Sequence, residues 1–106
     1  MTDVKVFRSE GGYVGFSVRD HSDYDEEGAD IVCSAISSAV QFAANGITEV
    51  AGAVADISVD EETAEITLRT SPDNEAAQVL LASFVLHMEI LSEDYNENIK
   101  FCILEV

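Results

Sequence analysis

The chain contains two cysteines and two histidines, and one pair of them lies close together: His21 and Cys33, in "RDHSDYDEEGADIVCSAISSAV" from Arg19 to Val40. An imidazole beside a thiol can take its proton, leave a nucleophilic thiolate, and later protonate a leaving amine, which is the chemistry of cysteine-dependent peptide cleavage. Spacing alone leaves a second reading open, because a cysteine in an apolar helix also packs as a small hydrophobe. Position favours chemistry. If Asp30 is the N-cap of the helix that follows, Cys33 is its third residue, where unpaired N–H groups and the positive end of the helix dipole stabilise an anion.

Other chemistries fit less well. Asp23, Asp25, Glu27 and Gly28 fall at the first, third, fifth and sixth positions of a calcium loop, but the twelfth is Ser34 and no helix precedes it. A zinc site from His21, Cys33 and loop carboxylates lacks a second Cys or His pair. No metal or cofactor is expected, and the acidic residues also read simply as a solvated loop. A redox sensor needs a resolving thiol, and the one candidate, Cys102, is read as packed in a core strand. His87 reads as a helix-surface or core-edge residue.

The elements that must position these groups follow from hydrophobic periodicity. "VKVFR" and "YVGFSVRD" alternate across "SEGG" and predict a β-hairpin. A helix follows from about Asp30 to Asn45, closed by Gly46 as a left-handed C-cap, with Val32, Ile36, Ala39, Val40 and Ala43 on one side and Ala35 and Phe42 elsewhere. Such a helix is buried widely, and its surplus apolar surface points to a second copy of the chain. "ITEVAGAVADISVD" and "AEITLRT" predict a second hairpin around "DEET", carrying Val50, Val54, Ile57, Val59, Ile66 and Leu68. Ser71 as N-cap and Pro72 in the first turn open another helix, with Ala77, Leu81, Phe84, Met88 and Leu91 as its stripe. "NIKFCILEV" ends the chain as a strand. The order ββαββαβ predicts a single α+β domain, a mixed sheet packed with two helices.

Composition sets limits on partners. Twenty-one acidic against five basic residues give a formal net charge of −16, which disfavours direct nucleic-acid binding and suits a basic partner. No signal-like start is visible, and no segment reads as long and apolar enough to cross a bilayer, so a cytoplasmic protein without membrane contact is expected.

The stretch "DHSDYDEEGADIVCSAIS" resembles the GHA…DIVC…S region of the ribosomal-processing cysteine protease Prp (YsxB-like) family: the His21 to Cys33 distance, Gly28, the run Asp30 to Cys33, and Ser37 all agree. "SPDNEAAQVLLASFVLHMEILSEDYNENIKF" resembles that family's carboxy-terminal helix and YNENI ending, so two motifs in order cover nearly the whole chain. The resemblance implies an endopeptidase that removes a short N-terminal extension from a large-subunit ribosomal protein precursor. His21 and Cys33 would be its catalytic dyad, Ser22, Asp23, Tyr24 and Gly28 would belong to the loop that closes over the peptide, and the protein would be a homodimer. Asp30 would cap the helix and steer His21. Ser37 would hydrogen-bond near the thiolate or back to a helix carbonyl. Two positions depart from the pattern, Asp20 for glycine and Ser22 for alanine. Asp20 either restricts the backbone beside His21 or approaches the imidazole and raises its pKa. A non-catalytic module that binds the same basic protein is the alternative reading.

Overall fold

The alternating valines of the first twenty residues fold as they read: β1 (Thr2–Ser9) and β2 (Gly12–Asp20) pair antiparallel, Val4 opposite Val18 and Val6 opposite Phe16. The computed structural model describes residues 1–20 and 29–106 and, in residues 29 and 30, the backbone alone. Gly15, at φ +150, lets β2 pass close to the neighbouring strand, since a Cβ there would run into the Leu68 carbonyl oxygen.

Among the described residues the elements follow the expected ββαββαβ order, with α1 (Ala29–Asn45), β3 (Ala55–Asp60), β4 (Glu65–Thr70), α2 (Glu75–Asp94) and β5 (Ile99–Glu105). The sheet order is β3-β4-β2-β1-β5. β5 runs parallel to β1 and the other neighbours are antiparallel, so the sheet is mixed. Val4, Phe16, Val18, Leu68 and Ile99 of the sheet share one core with Val32, Ile36, Val40 and Ala43 of α1 and Ala77, Leu81, Phe84 and Met88 of α2. Both helices therefore cover the same face. The Phe16 and Phe84 rings meet at 4.4 Å and tie α2 to the sheet centre.

Several local expectations are corrected. α1 ends at Asn45 as read, but Gly46 is not a left-handed cap: the chain continues through a π-helical turn, Gly46–Val50, closed by the Ala51 N–H on the Gly46 carbonyl at 2.8 Å. Ile47 is fully buried there, and a Cβ on Gly46 would meet Leu80 at 3.1 Å. The glycine admits a neighbouring helix, and the left-handed turn falls at Gly52, φ +68. Val50 and Val54 lie outside the strand assigned to them, at 85% and 91% exposure, because β3 begins only at Ala55. The cap of α2 is Asn74, not Ser71. Its side chain accepts from the Ala77 N–H at 2.9 Å and donates to the Ala51 carbonyl at 2.9 Å, so one amide starts a helix and pins the preceding turn.

The first helix is buried along one stripe only, with Ile31 and Phe42 exposed. Two stretches also meet the length and mean hydropathy of a bilayer span, Ile31–Val50 and Glu75–Asp94, each 20 residues at 1.3, contrary to the reading of the sequence. Each lays a buried stripe against the sheet, as core helices do.

Candidate active site

Cys33 stands on α1 where that helix passes over the end of β2. The helix includes Ala29, so Asp30 lies within the first turn and cannot be its N-cap, a position that requires non-helical backbone. Cys33 is consequently at least the fifth helical residue, not the third, and its own N–H falls within the reach of the Ala29 carbonyl. The helix terminus contributes less to its thiolate than the sequence suggested, since the dipole effect fades beyond the first turn.

Beside the thiol stands the carboxylate of Asp20, the last residue of β2. The Cys33 thiol donates to Asp20 Oδ2 at 3.5 Å, and Oδ1 accepts from the Thr2 hydroxyl at 3.4 Å. Asp20 thus faces the sulfur. The sequence points Asp20 instead to the backbone or the imidazole of its neighbour His21. Period-2 alternation places Asp20 on the helix-covered side with Val18, which is the signal in the sequence for this contact.

Cys33 and Asp20 open onto a cavity of about 180 Å³ whose apolar wall is Val18, Ile36, Val40 and Ile66. Ser37, one turn after Cys33, lines the same space, so these two sequence-predicted residues are brought together. His21, Ser22, Asp23, Tyr24 and Gly28 lie outside the described residues, as does the Asp30 side chain. A cavity of about 150 Å³ holds a benzene-sized group, so this one has room for a single apolar side chain.

Cys102 does not belong to the site. It lies on β5, an edge strand and not a central one, opposite Lys5, whose neighbours Val4 and Val6 point to the helices. Alternation puts Cys102 on the other face of the sheet, away from Cys33, and the two cysteines are not joined in a disulfide. His87 is exposed on α2, as expected.

The charges divide in the same way. Lys5, Arg19, Arg69 and Lys100 alternate with the core positions Val4, Val18, Leu68 and Ile99, which places four of the five basic residues on the face turned away from the helices. The fifth, Arg8, donates from Nε to Glu105 Oε1 at 2.7 Å, and that hydrogen bond raises its pKa above the ordinary value. The helix-covered side that carries Cys33 therefore lacks those four cations, and the formal net charge of −16 suits the chain as a whole to a basic polypeptide.

A family model described as "Cysteine protease Prp" matches residues 1–100. The ribosomal processing cysteine protease Prp of Staphylococcus aureus is 29% identical over 102 residues, covering 94% of this chain and 96% of that protein. The protein of the same name from Bacillus subtilis is 29% identical over 94 residues, covering 84% of each. The crystal structure of the S. aureus protease with a covalently linked product peptide superposes with a TM-score of 0.86 at 26% identity, covering 98% of this chain and 100% of that one. The same protease with a substrate peptide gives 0.89 at 24% identity and supports the fold, with 98% and 100% coverage.

Proposed function

The chain belongs to the cysteine protease Prp family, and on that footing we propose that it removes the N-terminal extension of a large-subunit ribosomal protein precursor, with Cys33 as nucleophile and His21 as general base and acid. The observation that carries this reading is the cysteine lining an apolar cavity in a chain that matches the family over residues 1–100.

In this mechanism His21 takes the thiol proton as the Cys33 sulfur bonds to the scissile carbonyl carbon. The tetrahedral intermediate collapses as His21 gives that proton to the departing amine, leaving a thioester. His21 then deprotonates a water that attacks the thioester, and the thiol is restored. First-turn N–H groups of α1 are the donors we assign to the oxyanion. The wall of Val18, Ile36, Val40 and Ile66 takes an apolar side chain of the peptide beside the cleaved bond.

Incubation with the ribosomal-protein precursor of the same organism, read by intact mass, tests the assignment. One product shortened by its N-terminal extension is expected. An unchanged precursor mass, with the precursor bound, would instead support the non-catalytic binding module.

We further propose that the enzyme works in the cytoplasm as a homodimer. Phe42 is 75% exposed, beside a groove between α1 and α2 that also includes Ala35, Leu80 and His87, while Val79 and Leu86 of α2 stand exposed as well. An apolar surface of that kind on a small helical layer is suited to a second copy. Light scattering at micromolar concentration under reducing conditions is expected to give twice the monomer mass, and a strict monomer would remove the dimer without touching the protease.

A further inference from the structure

Asp20 is fixed from three directions by three different elements. Its N–H donates to the Ala64 carbonyl at 3.3 Å, in the β3–β4 turn. Its Oδ1 accepts from the Thr2 hydroxyl at the start of β1, and its Oδ2 from the Cys33 thiol on α1. Two of these anchors are themselves held. Thr2 is buried and its N–H donates to the Asn98 carbonyl at 2.7 Å. Ala64 sits at φ 53, which an alanine rarely adopts, in a turn whose Glu62 and Thr63 N–H groups bond Asp60 Oδ1. The fold therefore places this carboxylate, and its position does not depend on one flexible rotamer.

A carboxylate beside a thiol accepts the S–H proton as a hydrogen bond and repels the thiolate. We propose that Asp20 is a positioning residue for Cys33: it holds the thiol hydrogen-bonded beside the cavity and opposes its ionisation while that contact is made. The inference rests on Cys33 being the nucleophile. When the contact breaks, the S–H bond is cleaved, the electron pair stays on sulfur, and the proton passes to His21 in catalysis or to water in alkylation. Asp20 and Cys33 are the titratable groups lining the cavity among the described residues of β1, β2, β4, α1 and the β3–β4 turn. His21, next to Asp20 in the chain, is the other group whose influence must be separated.

The experiment is iodoacetamide alkylation of Cys33 in a Cys102→Ala background, followed by intact mass across roughly pH 5 to 9, a range that brackets an ordinary thiol. Asp20→Asn removes the charge and keeps the shape. It is expected to lower the midpoint of the profile by about one pH unit, so that alkylation well below the midpoint is about tenfold faster. Asp20→Gly is expected to move the profile the same way, and it decides the matter if circular dichroism shows that Asp20→Asn does not fold. An unchanged midpoint overturns the proposal. A rising midpoint also overturns it and shows Asp20 acting through His21, because loss of a carboxylate beside an imidazole weakens the imidazolium that would stabilise the thiolate. The readout needs no peptide cleavage, so its failure is distinct from failure of the protease assignment. On the same variants, the acid limb of kcat/KM for the precursor is expected to shift downward with the alkylation profile.

Discussion

Cys33→Ala is expected to reduce precursor cleavage by about 10⁴-fold or more, the scale of losing the attacking atom from a covalent mechanism. No other described residue can replace it. The Cys102 thiol lies on the opposite face of the sheet, and Ser37, the one hydroxyl a turn away on α1, is a far weaker nucleophile at neutral pH. The substitution should cost little stability. Alanine is the best helix former, Cys33 is only half-buried, and its removal enlarges an existing cavity without opening a new void in the closed core. The discriminating measurement pairs single-turnover cleavage with thermal unfolding of the same preparation. Loss of cleavage with an unchanged transition assigns the chemistry to the thiol, and cleavage at the parent rate would remove Cys33 from the mechanism.

His21→Ala is expected to lower cleavage by about 10²–10⁴-fold, the usual contribution of a positioned general acid and base, and also to raise the pH at which Cys33 alkylates. The second effect follows from magnitudes. A helix terminus stabilises an exposed charge by about 0.3–1 kcal/mol, less than one pKa unit at 1.36 kcal/mol per unit. Cys33 lies at least five residues into α1 and receives less than that, while Asp20 at 3.5 Å acts in the opposite sense. A thiolate populated at neutral pH therefore requires a cation, and the sequence offers His21 as the histidine near Cys33. His21→Ala and Asp20→Asn are thus expected to displace the alkylation profile in opposite directions. An unchanged profile together with reduced cleavage would mean a dyad assembled only around bound peptide. Undiminished turnover would exclude His21 from the chemistry.

The sequence by itself determined what depends on neighbours along the chain. Period-2 alternation in β1 and β2, and the three- and four-residue spacing of Ala77, Leu81, Phe84 and Met88, identified the hairpin and α2, because the same local geometry that orients successive side chains also selects which of them are apolar. The ordered motifs around His21 and Cys33 were likewise enough to indicate the family. Features that depend on distant partners were misread. Gly46 looked like a left-handed helix cap but is small for Leu80 of α2, thirty-four residues later in the chain, and Ser71 yielded its capping role to Asn74, whose amide also reaches Ala51. Asp20 makes the same point at the site. Its neighbour in sequence is His21, yet pairing of β2 with β1 and the passage of α1 over their ends turn its carboxylate to the Cys33 sulfur. Only the tertiary structure decided that contact, because a side chain's direction is local whereas the group it meets is set by strand order and by where a helix crosses the sheet.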